Sequence, residues 1–265
     1  MTHAGSHKEA MKNLPDMPHW ELLIAPGDAL FLDLDGTLVD LAATPDAVCV
    51  APGLVDVLHD LYQQLGGRLA IVSGRPLAQI DALLAPLTLP AAGVHGMQRR
   101  AADGVLHDAP LPDLAAVRAC AHALAATHRG VWVEEKYGAL AVHFRQAPAA
   151  GPLCKAALEE AICGAPALML MEGKMIVEVK VAGVDKGTAI RDFMAAGPFA
   201  GHRPVFVGDD TTDEAGFARV QGSGGIAIKV GLGPSIAHHR IGSPPELRDT
   251  LAQLLEQLIQ RSSHD

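Results

Sequence analysis

LFLDLDGTLVD, Leu30 to Asp40, is the stretch that decides how this chain is read. Leu30, Phe31, Leu32 and Leu34 suit an interior strand, yet the same run collects Asp33, Asp35 and Asp40. An unpaired charge in such a place costs several kcal/mol unless it is neutralised, hydrogen-bonded or bound to a metal. Moving outward, Pro52–Leu65 carries Leu54, Val57, Leu58, Leu61 and Leu65 at helical spacing and stops at Gly66-Gly67. Arg68–Val72 is a short apolar run bounded by SGRP, and helical spacing resumes over Pro76–Leu84. Strand, helix, strand, helix predicts a parallel sheet with right-handed crossovers.

The middle of the chain changes pattern. A helix over Leu114–Thr127 precedes GVWVEEKYGALAVHFR, a hairpin turning near Tyr137-Gly138. A second helix, Pro152–Cys163, precedes ALMLMEGKMIVEVK, a hairpin with its turn at Glu172-Gly173. The first pattern then returns: helix over Lys186–Met194, strand over Pro204–Val207, helix over Asp213–Val220, strand over Gly225–Val230 and a terminal helix over Glu246–Leu258. The expected fold class is α/β, a Rossmann-like parallel-sheet core with a small inserted α+β domain. The boundaries follow as a polar N-terminal segment over 1–25, a discontinuous core over 26–109 and 182–265, and the insert over 110–181.

Composition narrows the partners. The 265 residues are 49% hydrophobic, enough for a packed core, and carry a net charge of -9 from 30 acidic and 21 basic residues. With no Lys/Arg block, neither nucleic acid nor a membrane surface is an expected partner. Cys49, Cys120, Cys154 and Cys163 show no CxxC or zinc spacing and read as thiols. The first twenty residues lack a signal peptide's apolar core, and no run of about 18 apolar residues occurs, so a cytoplasmic location is expected. The 13 histidines are scattered without ligand spacing.

Ligands of open parallel sheets sit beyond the carboxyl ends of the strands. Four pieces gather there: DLDGT (Asp33–Thr37), Ser73-Gly74-Arg75, Lys186, and Gly208-Asp209-Asp210 with Asp213. Each alone is ordinary; their order and position make them a constellation.

DLDGTLVD, SGR, the downstream lysine and GDDTTDE together resemble the four motifs of the haloacid dehalogenase-like (HAD) phosphatases, and the insert resembles the cap of their sugar-phosphate branch. More narrowly, VEEKYGALAVHFR, EGKMIVEVK, DKG and PVFVGDDTTDEAGF resemble the trehalose-6-phosphate phosphatase family, from Leu30 to about Val230. The resemblance implies a Mg²⁺-dependent hydrolysis of trehalose 6-phosphate to trehalose and phosphate, with a functional link to a trehalose-phosphate synthase. Two alternatives stay open: a phosphatase for another phosphosugar, such as sucrose phosphate or glucosylglycerol phosphate, and a phosphosugar-sensing module without catalysis.

Residue chemistry fits the leading expectation. Asp33 can attack phosphorus and form an aspartyl-phosphate. Asp35, two residues on, can give a proton to the departing sugar oxygen and then take one from water. Mg²⁺ prefers oxygen ligands and few protein carboxylates, which fits Asp33 and Asp209, and the resemblance adds the main-chain carbonyl of Asp35. Ser73 and Lys186 would hold and neutralise phosphoryl oxygens. Asp210 and Asp213 would fix metal-bound waters or Lys186, unless Asp213 caps the helix that follows. Asp40 is expected to be structural or to support the site from behind the residues that touch substrate. Thr37, Gly74, Arg75, His95 and Gly96 are candidate substrate contacts on the core side. In the insert, Glu172 and Lys174 at the expected turn, with Lys136, His143 and Arg145 on the other hairpin, are candidates for sugar hydroxyls. Strand alternation would put His143 and Arg145 on one face. Hinges are expected near Leu106–Leu111 and Lys180–Val184.

Overall fold

In a computed structural model, the described residues are 24–262 apart from 43, 45 and 46. The expected N-terminal segment over 1–25 lies outside them but for its last two residues.

Strand β1 (Asp28–Leu32) is buried at every position. Ala29 and Phe31 point to one side of the sheet and Leu30 and Leu32 to the other, feeding two separate apolar clusters. A strand packed on both faces needs the unbroken hydrophobic run seen in the sequence. β1 pairs in parallel with β2 (Leu69–Val72) on one side and β10 (Arg203–Gly208) on the other. The full order is β12 (His239–Ile241), β11 (Ile226–Val230), β10, β1, β2, β3 (Ala91–Gly93), β4 (Gln98–Arg100), β5 (Leu106–Asp108). From β12 to β3 every pair is parallel, as the alternation predicts, and β4 runs antiparallel to β3.

Helices α1 (Leu54–Gln64) and α7 (Pro244–Ser262) supply Leu58, Leu61, Leu247, Leu251 and Leu254 to the cluster behind Leu30 and Leu32. Across the sheet, α5 (Lys186–Met194) and α6 (Glu214–Gly222) bring Phe193 and Phe217 to a cluster with Phe31, Phe199 and Phe206. Phe31 lies 5.3 Å from Phe199 and 5.8 Å from Phe193 between ring centroids. A further helix, α2 (Leu77–Leu84), follows β2.

The chain divides into two compact units, one formed up to His107 and from Asp185 onward, the other Asp108–Val184. The second unit is a four-stranded antiparallel sheet, β6 (Trp132–Lys136), β7 (Ala139–His143), β9 (Ile176–Val181), β8 (Leu168–Gly173). Helices α3 (Ala115–Thr127) and α4 (Gly151–Ala161) cover one face through Val117, Leu124, Cys154, Leu158, Leu140, Val142, Val177 and Val179. The opposite face carries Trp132, Glu134, Lys136, His143 and Glu178.

Two local expectations need correction. The second hairpin turns at Lys174-Met175, because Glu172 pairs with Val177 and Gly173 with Ile176. Gly173 serves close packing: a Cβ there would meet Ile176 Cγ2 at 2.6 Å, while Met175 takes the left-handed conformation, φ 65°. β7 ends at His143, so strand alternation does not carry Arg145 onto the same face.

Candidate active site

Register brings the acids together. Leu32 of β1 lies opposite Val207 of β10 and Ile71 of β2, so the residues just past these strand ends, Asp33, Asp209 and Ser73, share one edge. Here the strand order also reverses, since successive strands go out from β1 in one direction and return through β10 in the other. The Asp33 N–H donates to the Val207 carbonyl at 2.9 Å. The chain then turns at Gly36, φ 76°, where a Cβ would collide with the Asp209 carboxylate. Conformation and space both demand glycine at that point. Thr37 follows, fully buried, its hydroxyl 3.2 Å from Asp33 Oδ2 and 3.3 Å from Asp209 Oδ1.

Lys186 opens α5 behind a capping box of Asp185 and Thr188. A cation at a helix N-terminus opposes the macrodipole by about 0.3–1 kcal/mol, so something else must hold it there. Its Nζ donates to Asp33 Oδ1 and to Asp213 Oδ1, each at 2.7 Å, with all three side chains buried. Gly187 permits this placement, since a Cβ there would run into the main-chain carbonyl of Ala215 on α6. Asp213 Oδ2 accepts the N–H groups of Asp209 and Asp210, both at 2.9 Å. Asp213 therefore points back into the site, and its side chain does not cap α6. Asp210 is exposed and caps the single turn Thr211–Asp213.

Burial pushes the Asp33 carboxyl up to about 6, against the opposing pull of Lys186, and the Asp209 charge adds to the rise. Asp213 is pushed up to about 6 by burial and by Asp33. Asp209 is raised by burial and by Asp213. Burial alone would lower Lys186, but the two carboxylates outweigh it and hold the ammonium charged.

On the β2 side, Ser73 is buried and its hydroxyl oxygen accepts the Arg75 N–H at 3.1 Å. Arg75 grips Asp35 through two bonds, Nε to Oδ2 at 2.6 Å and the other nitrogen to Oδ1 at 2.7 Å. Such bidentate pairing fixes both position and plane of the carboxylate. Gly74 and His95 approach closely: a Cβ on Gly74 would lie 2.8 Å from the imidazole. His95 and Gly96 form a tight turn after β3, with His95 at φ 55°. Asp40 stands apart, exposed and paired with Arg248 at 3.1 Å.

Asp33, Asp209 and Asp213 bring carboxylate oxygens within 4.8 Å of one another. Asp213 has both oxygens committed to Lys186 and two N–H groups, which leaves Asp33 and Asp209 as the carboxylates available to a cation. An all-oxygen donor pair suits a hard divalent ion. Sequence reasoning missed Lys229, buried on β11, whose ammonium donates to the carbonyls of Asp209 and of Val230, the latter at 3.0 Å. A lysine interrupting the apolar run IAIKV was the available signal.

In the second unit, Lys136 donates to Glu178 at 2.6 Å and His143 Nε2 lies 2.8 Å from Glu134 Oε2. These four share the helix-free face of the sheet. Glu172 instead pairs with Lys155 of α4 at 2.5 Å, on the helix side, and Lys174 and Arg145 are exposed. Glu134 and Glu178 were missed by sequence reasoning. Glu178, between two core valines on a central strand, could have been noticed as a charge that breaks an apolar alternation.

The structure resembles a phosphatase of the haloalkanoate (HAD) superfamily from Bacteroides thetaiotaomicron with a TM-score of 0.59. That likeness covers 92% of this chain and 97% of the other at 17% identity, and it speaks for the fold. Residues 31–245 match the trehalose-phosphatase family model, and the chain belongs to that family. It is 43% identical to a "Probable trehalose-phosphate phosphatase" of Sinorhizobium fredii, over 85% of this chain and 87% of the relative. It is 38% identical to the trehalose-6-phosphate phosphatase of Escherichia coli, over 89% and 90%. Among the described residues no helix is long and apolar enough to cross a membrane.

Proposed function

We propose that the protein hydrolyses trehalose 6-phosphate to trehalose and inorganic phosphate, using Mg²⁺ and an aspartyl-phosphate intermediate. The observation that carries this reading is the buried Asp33, tied to Lys186 at 2.7 Å and bridged to Asp209 through Thr37. Asp33 adds to phosphorus as the bond from phosphorus to the sugar oxygen breaks, and the leaving oxygen takes its proton from Asp35. Asp35 then receives a proton from water, whose oxygen bonds to phosphorus and releases Asp33. Arg75 holds Asp35 in position in the resting site, and one of its two hydrogen bonds opens so that the freed oxygen of Asp35 can carry the transferred proton. Lys186 offsets the negative charge that gathers on Asp33 and the phosphoryl group. Ser73 and the turn beyond Gly36 bind phosphoryl oxygens. Asp33, Asp209 and the main-chain carbonyl of Asp35 would hold Mg²⁺, which when bound would supply the charge that lets two anions approach.

Sugar recognition falls to the second unit. Glu134, Lys136, His143 and Glu178 form a polar group on its helix-free face, supplying both acceptors and donors for hydroxyls. A link to a trehalose-phosphate synthase, which makes the substrate, belongs to the same reading. The test is phosphate release from trehalose 6-phosphate, sucrose phosphate and glucosylglycerol phosphate, each with Mg²⁺ and with chelator. Fast, metal-dependent release from trehalose 6-phosphate alone is expected. Preference for either rival substrate overturns the assignment, and binding without release from any of them points to a sensing role.

A further inference from the structure

Trp132 opens β6 and lies flat against His143 across the sheet, ring centroids 3.8 Å apart and planes within 1°. One indole face is covered by that stack, yet Trp132 is 48% exposed, so the opposite face and the edge are open. The stack is itself fixed, because His143 is bonded to Glu134, which follows Trp132 two positions later on the same face. That spacing sets indole and carboxylate about 7 Å apart along the strand. Lys136 and Glu178 continue the polar group beyond. The pattern is one rigid aromatic plane beside a row of hydroxyl partners.

A pyranose ring has matching chemistry: an apolar face of C–H bonds and a rim of hydroxyls. Aromatic side chains supply large, rigid contact area, and a few convergent polar groups fix orientation. We propose that the open face of Trp132 is the platform on which the non-phosphorylated ring of the disaccharide stacks, making Trp132 a determinant of selectivity for a disaccharide phosphate over a monosaccharide phosphate. The proposal rests on the trehalose 6-phosphate reading above. Because His143 and Glu134 already hold the indole in place, little ordering is left to occur on binding.

The test compares kcat/KM for trehalose 6-phosphate with that for glucose 6-phosphate. W132A is expected to lower the ratio of the two by about ten-fold, the weight of one good aromatic contact. W132F, which keeps a ring, is expected to recover most of it. A second readout needs no substitution at the site: the chain has two tryptophans, so in a W20F protein the emission reports Trp132 alone. Trehalose is expected to shift or quench that emission saturably. A folded W132A protein with unchanged selectivity overturns the proposal, as does emission indifferent to trehalose. If W132A does not fold, the emission result decides. Failure of the functional reading looks different, since the unsubstituted protein would then release no phosphate from trehalose 6-phosphate.

Discussion

Two ionic networks lie on the two sheets of this protein, built on opposite principles. At the core edge, Asp33, Lys186 and Asp213 come from segments up to 180 residues apart, and their side chains are 5%, 3% and 0% exposed. On the second sheet, Glu134, Lys136, His143 and Glu178 come from adjacent strands and stay partly open to water, except for Glu178. Buried charges without partners are costly, so the core network has one arrangement and every oxygen is assigned. At the partly exposed Lys136 and Glu134 water can take the place of a lost partner at little cost, while the Glu134–His143 bond still holds the stacked Trp132. Chemistry needs the first kind of site and recognition of a many-hydroxyl ligand suits the second.

The sharpest way to break this contrast is at the core. D33N is expected to lower phosphate release by at least about 10³-fold while the protein stays folded, measured as kcat with trehalose 6-phosphate. Undiminished turnover would remove Asp33 as nucleophile. K186M leaves two buried carboxylates facing each other and is expected to destabilise the protein by about 3–5 kcal/mol, read from urea unfolding. A loss well below that would mean the site relaxes and admits water.

Acidity separates the networks further. Asp33 and Asp213 titrate near 6 in the folded, metal-free protein against an ordinary 3.8. A carboxyl raised by folding contributes stability that is fully present below about pH 4 and lost as pH climbs through about 6. In chelator, D33N should therefore gain in melting temperature relative to the unsubstituted protein between about pH 4.5 and 7. Mg²⁺ should raise the melting temperature more at about pH 7 than at pH 5, where Asp33 must first shed a proton. A pH-independent gap between the two proteins would contradict the assigned burial.

On the open sheet, E178Q is expected to raise KM for trehalose 6-phosphate by about ten-fold with a much smaller change in kcat, as loss of a uniform binding contact would. Smallest of all, R118A removes an exposed pair with Glu135, 2.8 Å apart, and should leave the melting temperature unmoved.

Much of this was legible in the sequence because the central strands are long, apolar and bounded by glycine. DALFL, LAIV and RPVFVG could only be interior strands, and the acids at their ends followed. β3, β4 and β12 were not legible, since AAG, QRR and HRI are too short and too polar or small to show a period. The core acids share an edge because three strands end in register, which motif order already implied. The second sheet was harder. Glu172 and Lys174 flanked a glycine that looked like a turn, whereas the polar group is set by which residues alternate away from α3 and α4. Alternation in WVEEK and IVEVK held that answer, but only the position of the helices says which face they leave open.

The order of the strands has a consequence for how the molecule is made. Asp28 pairs with Arg203, and Thr37 meets Asp209 across 172 residues of chain. The unit Asp108–Val184, whose hairpins close over short loops, lies between them and can form as soon as it leaves the ribosome. The central pair of the large sheet must wait for β10. During synthesis β1 can pair early with β2, but its other edge stays open until β10 emerges, and the event that closes that edge is the same one that assembles the acids. A translation product that stops short of Asp209 lacks two of the three clustered acids and can hold no working site.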